Sequence, residues 1–204
     1  DVESPRSELC PIQIAPPTAA LRRRLRGLRV EAVERLGKRV IVNFDSGEHL
    51  VIEPRMSGLV ILDQAPDEKH VRLALHFAGK PLRRLLFWDV RGLGVVRLLS
   101  HEDLAETLGP KKLGPDALTV DAKSLQERLG RSPRAIKVAL LDQKAVAGIG
   151  NIYADEALFE VTRRVAAAAV EIRPERRLTR IADREQRMHR LVRVERNDRE
   201  LLVF

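Results

Sequence analysis

Between residues 40 and 99 the apolar positions fall in short runs with strand spacing. Val71-Arg72-Leu73-Ala74-Leu75-His76-Phe77 sets its large apolar side chains at every second position, which predicts a strand with one buried and one largely solvated face. Val40 to Phe44, Leu50 to Ile52, Leu59 to Leu62, Leu85 to Trp88 and Val95 to Leu99 read as further strands. Asp45-Ser46-Gly47 and Ala78-Gly79-Lys80 read as hairpin turns between them. Many short strands at this spacing predict a two-layer sandwich or flattened barrel, preceded by one short helix over Ala19 to Arg26.

Downstream of about residue 105 the period becomes helical. Leu108-Gly109-Pro110 and Leu113-Gly114-Pro115-Asp116-Ala117-Leu118 mark the junction, because Gly-Pro pairs end elements and stiffen links. Ser132-Pro133 supplies a hydroxyl cap and a first-turn proline for a helix in which Ile136, Leu140 and Leu141 share a face. Gly148 and Gly150 interrupt it, and a tight double turn over Ala147 to Asn151 is expected. Asn151 is a good N-cap for a second helix, whose Ala154, Ala157, Leu158 and Val161 form an apolar stripe that packs on the first. The expected fold is α+β, a partial two-layer antiparallel β-sandwich followed by an all-α region. Its divisions are 1–116, 117–161 and an arginine-rich tail over 162–204.

The start of that second helix presents unpaired amides and a dipole that favour an anion, and Lys137 and Lys144 add charge nearby. A Gly-x-Gly-Asn turn alone fits a plain connector equally well. Composition adds a polyanionic partner to the picture: 37 Lys plus Arg against 29 Asp plus Glu give +8. Only 3% of residues are aromatic, so stacking of bases on aromatic rings does not dominate any such contact. The single Cys10 excludes an internal disulfide and a zinc site built on several thiolates. His49, His70, His76, His101 and His189 show no metal-ligand spacing. Asp155-Glu156 reads as helix-dipole complement rather than a catalytic pair. Absence of an eighteen-residue apolar run and of a signal-peptide pattern leads to the expectation of an intracellular protein without a membrane segment, and a monomer is expected.

Residues 135 to 159 closely resemble the helix-two-turns-helix segment of the formamidopyrimidine-DNA glycosylase and endonuclease VIII family, worded A-I-K-x-x-L-L-D-Q-x-x-V-A-G-I-G-N-I-Y-A-D-E-x-L-F. Leu113 to Leu118 resembles its L-G-P-[ED]-x-L signature, and the resemblance covers roughly residues 20 to 161. It implies a double-stranded DNA partner carrying damaged bases or abasic sites. Asn151 matches a main phosphate contact, Lys137 the lysine of the A-I-K run, and Gly148 and Gly150 the glycines of the turn. Arg35 to Val40 resembles R-R-x-K-Y-[LV], which makes Lys38 the matching lysine that assists catalysis. Arg55-Met56-Ser57-Gly58 resembles x-M-[ST]-G, whose methionine fills the space left by an everted nucleotide. Asp89 to Gly94 resembles D-P-R-R-F-G: Arg91 is retained, and Leu93 replaces the aromatic wedge. Lys38 read by spacing alone is a solvated turn lysine, and Met56 a core gap-filler.

The implied activity is that of a bifunctional DNA glycosylase and abasic-site lyase, which removes oxidised bases and cleaves by β- and δ-elimination after base flipping. The family's nucleophile is an N-terminal proline followed by a glutamate. The chain starts at Asp1-Val2 instead, and Glu53-Pro54 stands where the family commonly has His-Leu. The expectation is therefore a chain lacking roughly its first twenty residues and inactive as given. A four-cysteine zinc finger is implied by the family and has no match, so no cofactor is expected. From Thr162 to Phe204 there are twelve arginines and no lysine, glycine or cysteine, unlike the family. Two alternatives stay open: a non-catalytic DNA-binding remnant, and a phosphate clamp of the ribosomal-protein or helix-hairpin-helix kind. Met56, Arg91 and Leu113 to Leu118 argue against the second.

Overall fold

The computed structural model describes the backbone of residues 1–4, 12–79 and 83–171 and side chains as far as residue 166. The described elements are β1 (Val2–Glu3), β2 (Gln13–Ala15), α1 (Thr18–Leu25), β3 (Val30–Leu36), β4 (Arg39–Phe44), β5 (Glu48–Glu53), β6 (Gly58–Leu62), β7 (Val71–Phe77), β8 (Arg83–Asp89), β9 (Val95–Ser100), α2 (His101–Leu108), α3 (Ala122–Gly130), α4 (Ile136–Leu141) and α5 (Asn151–Glu171). Two sheets result, ordered β1-β7-β8-β6 and β2-β9-β5-β4-β3. Their pairings are antiparallel except for the parallel β2–β9 pair, which departs from the expected all-antiparallel sandwich. This is the α+β architecture that the strand and helix periods predict.

Alternation drives the inner core. Val40, Val42 and Phe44 of β4, Leu50 and Ile52 of β5, Leu73 and Leu75 of β7 and Phe87 of β8 point between the layers with Leu21 and Leu25 of α1. Leu21 and Leu25 lie one turn apart, so a helix of eight residues contributes one stripe to this core while Arg22, Arg23 and Arg24 face out. The other face of the five-stranded sheet is also covered: Ile41 and Val51 pack with Leu108, Leu113 and Ala147.

Strand β7 differs from its expected half-solvated form. Arg72 is 2% exposed and Ala74 is buried with Val71 and Leu86 against Ala65 and Trp88. Arg72 enters the interior with its Nε donating to Asp89 O at 2.8 Å and its Nη2 to Val90 O at 3.2 Å, while its Nη1 is buried without a hydrogen-bond partner.

Contacts divide the chain into a unit of Asp1–Gly150 and a second that begins at Asn151. The boundary expected near 116 falls inside the first unit. Backbone hydrogen bonds explain it: Gly114 N donates to Gln143 O, Ala147 N to Pro115 O and Ala117 N to Ala147 O, at 2.8 to 2.9 Å. The helix expected to open at Ser132-Pro133 starts at Ile136, because Ser132 N closes onto Leu129 O behind α3 and the first ladder bond is Ala139 N to Ala135 O. Its buried pair is Ala139 and Leu140, and Ile136 is half exposed. In the second unit α5 starts at Asn151 itself. Ala154 is buried, Leu158 is intermediate, and Ala157 and Val161 are exposed, so the stripe is narrower than its spacing predicts. The expected arginine-rich tail lies mostly outside the described residues, as do Cys10, His189 and Lys80.

Candidate nucleic-acid interface

Two turns at the end of the sandwich gather the residues singled out in β5, β6 and β8. The first runs from Pro54 to Gly58 and closes with Gly58 N donating to Pro54 O at 3.0 Å. The second follows β8 over Val90 to Gly94. Asp89, fully buried, ties them together: its Oδ1 accepts from Ser57 Oγ at 2.6 Å and from Arg91 N at 3.2 Å, and its Oδ2 from Gly94 N at 2.8 Å. Met56 is thereby held 75% exposed rather than filling a core gap, with its Sδ 3.4 Å from Arg91 Nη1. Leu93, also exposed, lies on the same second turn. A flexible apolar side chain against a guanidinium, with an exposed leucine two residues further along the same turn, has the composition of a wedge that enters a base stack.

Lys38 lies on the β3–β4 turn, directly before Arg39 opens β4. Its ammonium lies beside the glycine turn: a Cβ placed on Gly150 would stand 3.5 Å from Lys38 Nζ. Partial burial, and then the neighbouring Arg39, pull the Lys38 pKa below its ordinary value. Gly148 has φ +103, a conformation that glycine adopts freely, whereas Gly150 has no positive φ. Gly148 thus has a conformational reason to be glycine, while a Cβ at Gly150 would make only ordinary contact with the Lys38 ammonium.

Gln143, which sequence reasoning passed over, braces this turn from inside. Its Nε2 donates to Leu141 O and Ile149 O at 3.0 Å each, and its Oε1 accepts from Gly148 N at 3.0 Å. The D-Q pair in the family wording was the available signal. Lys137 is half-buried on α4 and engaged in an interaction, while Lys144 is exposed. Asn151 is the exposed first residue of α5. Glu53, legible in the sequence only as a departure from the family wording, ends β5 just before the first turn and pairs with Arg39, Arg55 and Arg97.

Among the described residues no group of three or more His, Cys, Asp or Glu is arranged to hold a metal. His49 and His101 approach with ring centroids 5.6 Å apart. No described helix is long and apolar enough to cross a membrane.

Residues 4–96 match the N-terminal domain of formamidopyrimidine-DNA glycosylase, and residues 113–195 match its H2TH domain, a match that runs on into the arginine-rich segment. The formamidopyrimidine-DNA glycosylase of Thermomicrobium roseum is 42% identical over 161 residues, which is 71% of this chain and 54% of that protein. That of Bacillus subtilis is 40% identical over 141 residues, 67% of this chain and 50% of its own length. Among solved structures, the complex of Lactococcus lactis Fpg with abasic-site DNA is similar with a TM-score of 0.64 and 33% identity, covering 77% of this chain and 57% of that one. A complex of the same organism's protein with FAPY-dG DNA is similar with a TM-score of 0.62 and 32% identity. The chain thus spans about half the length of these relatives. Two matched domains, and relatives above 30% identity over at least two thirds of the chain, agree with the motif-by-motif likeness of its turns: the chain belongs to the formamidopyrimidine-DNA glycosylase family.

Proposed function

We propose that this chain holds duplex DNA at a damaged or abasic nucleotide as part of base-excision repair. The observation that carries the reading is the convergence of Met56, Arg91 and Leu93, which come from two turns joined by Asp89 and Ser57. An exposed apolar group beside a guanidinium fits insertion into the gap that an everted nucleotide leaves. Lys38 and the Gly148–Gly150 turn supply phosphate contacts in this reading, with Lys137 and Asn151 as the further backbone grips that the family wording implies. The DNA-bound Lactococcus lactis neighbours support that partner.

For the reaction, the reading is bifunctional glycosylase and abasic-site lyase chemistry, which needs an amine nucleophile at the sugar's anomeric carbon. The second reading is a non-catalytic DNA-binding remnant that keeps the phosphate turn and Lys38 without the chemistry; Val90, Gly92 and Leu93, which stand where D-P-R-R-F-G has proline, arginine and phenylalanine, alter damage sensing in either reading. Borohydride trapping on abasic-site DNA separates them. A covalent adduct supports the lyase; salt-sensitive binding without an adduct supports the remnant. Absence of both an adduct and salt-sensitive duplex binding would sink both. No cofactor is assigned in either reading, and the chain acts as an intracellular monomer.

A further inference from the structure

Glu53 ends β5 and is 6% exposed, yet it carries a carboxylate. Arg97 Nη1 donates to its Oε1 at 3.0 Å, and Arg55 Nη2 and Arg39 Nη2 lie 3.3 and 3.5 Å from its Oε2. Buried charge persists only where it is paired, and here one carboxylate serves three guanidiniums. The three come from different places: Arg39 opens β4 directly after Lys38, Arg97 lies on β9, and Arg55 belongs to the Met56 turn.

Arg55 is also strained. Its φ of +59 is a left-handed conformation that disfavours a non-glycine residue. Such a conformation persists where surroundings over-determine it. The Glu53–Arg55 ion pair turns this guanidinium back onto β5, and the next residue, Met56, projects outward.

We propose that Glu53 is a positioning residue for Met56, holding Arg55 left-handed and fastening the turn to the strands of Arg39 and Arg97, so that Met56 is aimed before DNA arrives. The proposal rests on the duplex-DNA reading above. Its consequence is discrimination: a pre-aimed methionine enters a gap in the stack at little ordering cost, while an intact stack offers it no place.

The test uses the full chain and two variants, Glu53→Gln and Arg55→Gly. Arg55→Gly leaves Glu53 paired with two arginines and relieves the φ, so it also guards against failure to fold. The variants change net charge oppositely, from +8 to +9 and from +8 to +7, so any effect they share is not one of overall charge. The chain has two methionines, Met56 and Met188, which makes a methyl-labelled spectrum of the free protein simple to read. Both variants should move the Met56 methyl signal toward its random-coil position and leave that of Met188 in place. With a duplex carrying 2-aminopurine beside a tetrahydrofuran abasic analogue, both should lose most of the fluorescence rise, as Met56→Ala does. Affinity for intact duplex should change less than about threefold, the scale of one charge contact at moderate salt.

Unchanged methyl signals and unchanged fluorescence would overturn the proposal, as would fluorescence that follows charge in opposite directions. Should Met56→Ala leave the fluorescence rise intact, the DNA reading of Met56 fails, and the methyl spectrum still decides whether Glu53 aims it.

Discussion

Arg35 Nη2 lies 2.5 Å from Asp116 Oδ1 across 81 positions of sequence, while Arg35 Nη1 donates to Gly37 O at 2.9 Å. One guanidinium thus joins the turn before Lys38 to the segment that supports the glycine turn. Burial pushes the Asp116 carboxyl up, but the hydrogen bonds from Arg35 and Leu118 N outweigh it and hold the group below its usual 3.8. A folded pKa below the unfolded one means that the pair's stabilisation is fully present above the unfolded value and is lost as pH falls through the folded one.

Asp116→Asn should therefore cost about 1–2 kcal/mol at neutral pH, between a surface ion pair and a buried charged hydrogen bond. Urea titrations across pH check this. The gap between variant and parent should close as the pH drops below the ordinary carboxylate range. A gap that stays constant through and below that range would show that the carboxylate is not the cause.

Alanine at the two glycines should separate the position that needs a positive φ from the one that does not. Gly148→Ala forces a side chain to φ +103 and is expected to cost about 1–2 kcal/mol. Gly150→Ala needs no change of φ, so the expected stability loss is within about 0.5 kcal/mol. Its methyl would make only ordinary van der Waals contact with Lys38 Nζ, so duplex affinity measured by anisotropy should stay close to that of the parent. Equal melting losses from both would contradict this assignment.

Asp89→Asn places an amide donor where one carboxylate oxygen now accepts from Gly94 N or from Ser57 and Arg91. Loss of a buried charged acceptor is expected to cost about 2–3 kcal/mol. Chemical denaturation should show a lower midpoint with an unchanged slope.

Met56→Ala should leave stability within about 0.5 kcal/mol of the parent, since the side chain is 75% exposed. Its effect should fall on the ratio of abasic to intact duplex affinity. Lys137→Ala should weaken both duplexes alike and reduce the salt slope by about 0.9. Asn151→Ala should weaken both with the slope unchanged, because asparagine releases no counterion.

Strands β4 to β9 were legible because their apolar residues alternate or run together between turn residues. Strand β3 was not: Glu31, Glu34 and Arg35 break its pattern, and Val33 is 50% exposed, so no face of it reads as buried. Helix α2 escaped notice because His101-Glu102-Asp103 follows a strand directly, although Ser100 caps it by accepting from Asp103 N. For the site, the identities of Lys38, Met56 and Arg91 could be read from motifs, but their company could not. Ser57 and Asp89 are 32 positions apart, and nothing local in either segment announces a shared hydrogen bond. Arg72 was misread for a related reason. A charged residue in an alternating strand is assigned to water unless its partner is known, and that partner is a backbone carbonyl on β8.

The pairing of Asp116 with Ala147, a lone parallel bridge, decides how portable the glycine turn is. Its floor is laid by residues some thirty places earlier, and Ala147 itself packs on Ile41 and Val51 of the sandwich. A peptide cut to the two helices and the turn between them would carry the whole recognisable motif and leave its mould behind. Anyone transplanting this grip to another scaffold would have to bring a strip of the Leu113 to Leu118 segment and a sheet face with it.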